Sequence, residues 1–487
     1  MSVLTKTTTI STPTSPAAQG AEASGAPDTL SRISIVGYGA GDAANNLAFT
    51  TATMFLLVYY TDVAGISAAA AGTLLLVVRI FDAFADVFAG RLVDRTYSKR
   101  FGKFRPFIMF GSIPLLLLSV ATFTVPQIGE TGMLLYAYLT YAALGLAYSL
   151  VNIPFGSLAG AMTQDSGERA KLASARTIGA MLVGAFLGIF IAPMIVPGAD
   201  LQTMFTVMTL SFVVVGTGLY LFTVLTAKER VQRDIPRISA RQTIDTLKGN
   251  RPLMLLCLSS FLFLTGMLAM NTMQLYYLRD VLGSIALYPV LSIVQIIMTF
   301  ALATQVPRIV RTFGKKNAYM VAAGFMAVGG TIVFVTPGSM VAVGFAGLVI
   351  AMVGLMLVNM LVWALEADTV EYGELNTGVR AEGITYALFS FTRKTGQAVG
   401  GALAAYALAW GGYTAEASVQ SESAMTGIRA GAGLIPAVFA VLAVVVMTRY
   451  PLTDVRHAEI TAEIAARRAA AEDGSGSPSS SGTSSSS

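Results

Sequence analysis

Two residue types that build many enzyme sites are nearly missing from this chain. It holds one cysteine, Cys257, and one histidine, His457. A lone cysteine excludes an intrachain disulfide and argues against a thiolate metal cluster. The histidine lies in a polar C-terminal stretch, so a proton relay in an apolar interior must use carboxylates, Tyr, Lys or Arg. A membrane-embedded enzyme would need a nucleophile–base pair or a metal cluster; the expectation is no enzyme and no cofactor. Charge is scarce as well. Asp, Glu, Lys and Arg make up 12% of the 487 residues, against about 25% in a soluble domain. The first 30 residues, with "TKTTTISTPTSPAAQGAEASGAPD", lack an apolar h-region and read as no secretory signal. Residues 1–32 and the closing "GSGSPSSSGTSSSS" read as disordered tails.

What is abundant is apolar: 54% of the chain. Apolar runs recur at about twenty residues, the length a helix needs to cross hydrocarbon. They are continuous rather than alternating, which predicts helices and not barrel strands. Twelve spans follow: 33–60, 67–94, 106–126, 131–162, 172–196, 203–227, 253–279, 284–307, 318–336, 340–365, 384–411 and 428–449. The fold class is therefore an all-α membrane protein with twelve transmembrane helices. Twelve spans put both termini on one side. Lys and Arg number nineteen in the even-to-odd loops and one, Arg279, in the opposite loops. The positive-inside rule then predicts cytoplasmic termini in a cell (inner) membrane. This distribution accounts for the net charge of +5, so no nucleic-acid partner is required; the bilayer is the expected partner, and a monomer suffices.

The polar segment 228–252 divides the chain into a half at 33–227 and a half at 253–455, with a polar, largely disordered tail at 456–487. "RFGKFRPF" (100–107) and "TFGKKNAY" (312–319) place Phe-Gly-Lys after the second span of each half. Two parallel six-helix halves are the major facilitator plan. The loop "GRLVDRTYSKR" (90–100) resembles that superfamily's G-x-x-x-D-R…K-R signature with extra spacing, and makes Asp94 and Arg95 gate candidates.

Span two holds "RIFDAFAD" (79–86) in an apolar run. At about 100° per residue, Arg79, Asp82 and Asp86 share a ~60° stripe. Each such charge costs roughly 2.5–3.5 kcal/mol at a helix centre, so the stripe must face the bundle interior. Arg79 can pair with Asp82, and two carboxylates one turn apart can share a proton or coordinate a cation. The bland reading is an ion pair locking the helix to its neighbours.

Span one carries "GAGDAANNLAF", with Asp42 and Asn46 on one face and Asn45 beside them. In "AYSLVNIPFGS", Asn152 precedes Pro154, where a loosened helix can free carbonyls; helix–helix hydrogen bonding is the alternative. Span five opens with Arg176 inside an apolar stretch. In "FTRKTGQ", Arg393 and Lys394 are adjacent, about 100° apart, so at most one faces a cavity squarely. The stretch "WALEADTVEYGELNTGVRAEG" (363–383) reads as an acidic cytoplasmic loop whose Glu366, Asp368 and Glu371 gate against the basic loops. The tyrosines of "QLYYLRD" (274–280) could stack on a sugar, but near the outer face an interfacial aromatic belt is the commoner role.

Together "YYTDVAG", "RIFDAFADVFAGRLVD", "GKFRPF", "YSLVNIPFGSLAGAMTQ", "WALEADTVEYGE" and "SFTRKTGQAVGG" resemble the glycoside–pentoside–hexuronide:cation symporter family of the major facilitator superfamily, from about residue 33 to 455. "TVEYGELNTGVRAEGITYALFSFTRK" is similar to its glucuronide-carrying branch. The pattern of its melibiose-carrying members implies roles here. The two cation-binding carboxylates fall on Asp82 and Asp86, and the cation-site hydroxyl falls on Ser149. The cation-site asparagine falls on Ala85, which has no side-chain oxygen, so the resemblance implies H⁺ rather than Na⁺, with Na⁺ at Asp82 and Asp86 the alternative. The sugar-binding arginine falls on Arg176 and the lysine of span eleven on Lys394. The two sugar-binding aspartates fall on Asn46 and Asn152, and the stacking tryptophan on Gly156. Two amides in place of two carboxylates would not repel an anionic sugar, and a hexuronide carboxylate could bond a basic side chain.

The expected function is cation-coupled symport of a glycoside, a glucuronide or hexuronide first, into the cell by alternating access. Asp82, Asp86 and Ser149 would bind the cation; Asp42, Asn45, Asn46, Asn152, Arg176 and Lys394 would line the sugar site. Arg79 would orient Asp82, with Arg393 a second structural charge. Sodium-coupled symport of a neutral glycoside or oligosaccharide is the alternative, and a lysolipid carrier a weaker one, because the interior is polar.

Overall fold

The computed structural model describes residues 29–98, 101–163, 165–196, 198–229, 249–377, 382–415, 417 and 419–475. Most of the tail 1–32, most of the linker 228–252, and residues 476–487 therefore lie outside the described residues. Helices dominate the rest: α1 (Arg32–Val58), α2 (Ala68–Arg95), α3 (Arg105–Thr122), α4 (Glu130–Met162), α5 (Ser166–Phe186), α6 (Leu201–Thr226) and α7 (Arg251–Tyr276). The long element Leu287–Val335 is two helices joined at Gly314, whose φ of 76° suits only glycine. These are α8 (287–313) and α9 (315–335). Then come α10 (Val341–Thr377), α11 (Glu382–Gly411), α12 (Glu422–Thr448) and α13 (Asp454–Ser475).

Local chemistry starts the helices. Ser31, Ser67, Asp165, Asn250 and Ser421 each accept a backbone N–H from the first turn they precede. Nine of the described helices are long and apolar enough to span a membrane, the double helix counting once. The shortfall is α1 and α11, which carry Asp42, Asn45 and Asn46, or Arg393 and Lys394. With these two restored and the double helix divided, the bundle has twelve spanning helices.

The halves repeat each other's packing. In the first, α1 lies against α5 and α6; in the second, α7 lies against α11 and α12. The Phe-Gly-Lys repeat has a structural meaning. Gly102 and Gly314 both take positive φ, 87° and 76°. A carboxylate following the sixth helix of each half then caps the turn. Glu229 accepts the N–H of Lys103 at 2.8 Å, and Asp454 accepts that of Lys315 at 2.8 Å.

Two expectations change. Residues 363–377 are not a loop: α10 continues through them, because Asp368 is held by Lys315 and Glu371 by His457. The stretch 456–487, expected as largely disordered, opens as α13. Its Ile460 and Ile464 are buried in the core of the second half, and its Arg467 donates to the carbonyl of Leu375 at 3.0 Å.

Candidate functional site

Small residues let α5 settle against α1: a Cβ at Gly179 would stand 2.4 Å from the carbonyl oxygen of Gly39. That approach brings Arg176 to Asp42. The Arg176 Nε donates to Asp42 Oδ1 at 2.8 Å, and its guanidinium lies 5.2 Å over the Phe155 ring. Asn46 Nδ2 donates to Asp42 Oδ2 at 3.0 Å, and Thr50 donates to Asn46 Oδ1 at 2.8 Å. Asp42 is thus a buried counter-ion, while the Arg176 side chain keeps 37% of its surface exposed. Arg176 also makes a side-chain hydrogen bond to Tyr38, and the rest of the guanidinium edge remains for an incoming acid. Gly156 contributes only open space beside Nη1, 3.8 Å from where a Cβ would sit. Asn152, half-buried on α4, has no side-chain hydrogen bond among the described residues.

Asn45 departs from expectation. It is 1% exposed and accepts from Tyr220 of α6 at 2.7 Å. One residue from Asn46 is a turn of about 100°, which directs it into the helix packing and away from the Arg176 pocket.

The charged stripe of α2 faces inward. Arg79 Nη1 lies 3.9 Å from Asp82 Oδ2 and its guanidinium 5.2 Å from the Phe49 ring. The other Asp82 oxygen is buried without a partner, against Gly145 of α4. Both oxygens of Asp86 are engaged: Ser149 donates to Oδ1 at 2.7 Å, and Lys394 of α11 donates to Oδ2. Arg393 turns the other way, 5.0 Å over the Trp363 ring with Nη2 3.4 Å from Asn359 Oδ1. Ala85, buried one residue before Asp86 on α2, brings a methyl and no oxygen.

Tyr148 lies between the two clusters and was not singled out by pattern. It stacks on Phe49 at 5.1 Å, and the charges of Asp42, Arg176, Arg79 and Asp82 all act on it.

At the end away from the termini, the halves are tied by a network the sequence reading missed. Arg279 lies 2.8 Å from Asp62, which follows α1, and 2.8 Å from Asp280. It also donates to Tyr413, after α11, at 2.7 Å. Burial beside Asp62 pushes the Tyr413 hydroxyl above the ordinary phenol range, so it stays a donor to that carboxylate. Arg279 had been visible only as the single basic residue of its side. A second signal was there: "YYTDVAG" (59–65) and "YLRDVLG" (277–283) are an internal repeat. Each makes one π-helical turn and ends on a glycine of positive φ. Tyr276 and Tyr277 are fully buried, Tyr276 bonding Thr61 at 2.9 Å; they form neither a sugar platform nor a lipid-facing belt.

The gate candidates divide. Asp368 pairs with Lys315 and lies 3.4 Å from His457, and Glu371 also meets His457. All of these contacts lie within the second half. Glu366 is buried and partnered, Arg95 is exposed at the end of α2, and the side chain of Asp94 lies outside the described part.

A protein with two matching six-helix halves, a central charged site and one locked end has the build of a transporter, and comparison with known proteins agrees. The family described as MFS/sugar transport protein matches residues 37–454. The chain is 46% identical over 443 residues, 90% of this chain and 96% of the other, to the "Glucuronide carrier protein homolog" of Escherichia coli (strain K12). It is 33% identical to "Uncharacterized symporter YjmB" of Bacillus subtilis (strain 168), covering 90% and 96%. Among solved structures, a bacterial homolog of the human lysosomal transporter Spinster superposes with a TM-score of 0.63 at 13% identity, covering 87% and 98%, which speaks for the fold alone. With its polar residues gathered between two such halves, the chain belongs to the MFS/sugar transport family of membrane transporters.

Proposed function

We propose that this protein imports a glycosidic uronic acid together with a proton, by alternating access, with both termini in the cytoplasm. The observation that carries the reading is Asp86, whose carboxylate is shared by Ser149 from its own half and Lys394 from the other. While Asp86 is ionised, Lys394 holds α11 against α2. A proton on Asp86 removes the charge that Lys394 answers, and this inter-half tie lets go. Asp82, with one oxygen unpartnered, is the neighbouring acceptor through which the proton can pass. Arg79 orients it.

A sodium ion would need oxygens around it. Asp82, Asp86 and Ser149 offer them, but Ala85 presents a methyl and Lys394 already places a positive charge on Asp86. The donor set suits a proton better. On the sugar side, Arg176 offers its outer guanidinium edge to a carboxylate, flanked by the Asn46 and Asn152 amides. The relative in Escherichia coli whose name refers to a glucuronide carrier supports the same substrate class.

Asp42 favours a second reading. It already neutralises Arg176, so a neutral glycoside would meet a pocket with little net charge. Competition separates the two: uptake of radiolabelled phenyl-glucuronide into vesicles should resist excess melibiose and fall with unlabelled glucuronide. Uptake of neutral glycosides alone would leave the symporter and remove the uronide.

A further inference from the structure

Asp42 and Arg176 line only one wall of the central space. From Asn46 toward the end locked by Arg279 runs a cavity of about 330 Å³, bounded by α1 and α5 of one half and α7 and α8 of the other. None of its lining side chains carries a formal charge. Three are carboxamides from the second half: Asn271 and Gln274 on α7, and Gln295 on α8. None of the three has a side-chain hydrogen bond among the described residues. The Tyr288 hydroxyl at the cavity edge is also without one.

Asn271 and Gln274 are half-buried and Gln295 is exposed, so the three amides converge on this space with their hydrogen-bonding capacity open to a ligand or its water. An amide presents a donor and an acceptor side by side. Neighbouring hydroxyls on a sugar ring, each both donor and acceptor, match that pattern. A carboxylate or phosphate would find no counter-charge here, and an apolar guest would leave the amides unsatisfied. The volume sits at the small end of ligand cavities, which run from about 300 to 1,000 Å³, so it admits a single ring rather than a chain of sugars.

We propose that this cavity is a neutral polyol subsite in which Asn271, Gln274 and Gln295 bind the hydroxyls of a pyranose ring. Asn46 is the hinge between compartments: its amide nitrogen is spent on Asp42, while its oxygen faces the cavity beside Thr50. The placement of an acidic substituent at Arg176 rests on the reading above; the subsite itself does not need it. A ring bound here touches both halves at once, so its arrival can draw them together.

The test exploits the single cysteine. In a Cys257→Ser background, Asn271→Cys and Gln295→Cys are made separately, with Ser339→Cys, exposed in a loop, as the control. Maleimide labelling is followed in membranes with phenyl-glucuronide or phenyl-glucoside present. The subsite predicts at least fivefold slower labelling of both cavity positions with a bound sugar and unchanged labelling at position 339. In parallel, Gln274→Ala should raise KM about tenfold with a smaller change in kcat. Protection by the glucoside but not the glucuronide supports the subsite and removes the uronide. Labelling unaffected by either sugar, in a protein that still takes up one of them, overturns the subsite.

Discussion

Lys394 of α11 donates to Asp86 of α2, and that one ion pair ties the two halves at the level of the charged stripe. The other oxygen of the same carboxylate takes the Ser149 hydroxyl at 2.7 Å. A carboxylate engaged on both sides in an apolar helix responds strongly to the loss of its charge.

Asp86→Ala should therefore abolish accumulation against a gradient while sparing sugar exchange at equilibrium. Uptake driven by a gradient and counterflow in the same vesicles separate the two. Full accumulation by the variant would refute the cation role of Asp86.

Asp82 depends on the bare face of α4. A Cβ at Gly145 would fall 1.9 Å from Asp82 Oδ1, so Gly145→Ala must turn the carboxylate or push the helices apart. Overpacking of this kind costs about 1–3 kcal/mol. The expected result is a lower Tm and coupled uptake reduced at least tenfold; wild-type values for both would show that Asp82 is not confined there.

Arg279 is the joint of the locked end. Arg279→Ala leaves Asp62 and Asp280 without their guanidinium, and breaking a buried pair this way costs about 3–5 kcal/mol. The lock should loosen toward the opposite opening. Thr53→Cys, half-buried in the cavity that this end covers, then becomes labelled several times faster, in a Cys257→Ser background, by an impermeant maleimide added from that side. An unchanged rate would mean that the network closes nothing.

The C-terminal helix is held by burial more than by charge. Ile460 is fully buried in the second half, whereas His457 remains partly exposed beside Glu371. Ile460→Asp should expose the chain after residue 453 to protease within the time that wild type resists. His457→Ala should show a smaller effect, and the reverse order would assign the attachment to the ion pairs.

Much of this architecture is legible in the residues. Helix number follows from run length, and the inward stripe of Arg79, Asp82 and Asp86 follows from spacing and the cost of charge in hydrocarbon. The Phe-Gly-Lys repeat marks equivalent turns because each glycine needs positive φ and each turn needs a carboxylate cap. What spacing could not say is which distant residue answers which. Arg279 and Asp62 are separated by more than two hundred positions, and only the fold brings them together. Asn45 and Asn46 are chemically alike, so their opposite destinations, Tyr220 and the cavity, depend on neighbours contributed by other helices. The acidic stretch after residue 363 looked like a loop because its charges are costly in a membrane-spanning helix; Lys315 and His457 offset that cost. The uncharged amides of α7 and α8 were hidden for a simpler reason. Among apolar neighbours they weigh little in any hydropathy pattern.

The most direct test is uptake of radiolabelled phenyl-glucuronide into vesicles under an imposed pH gradient, with and without sodium. The account predicts accumulation driven by the proton gradient alone. Strict dependence on sodium would contradict it and would require other oxygens, such as backbone carbonyls, to complete a metal site beside Ala85.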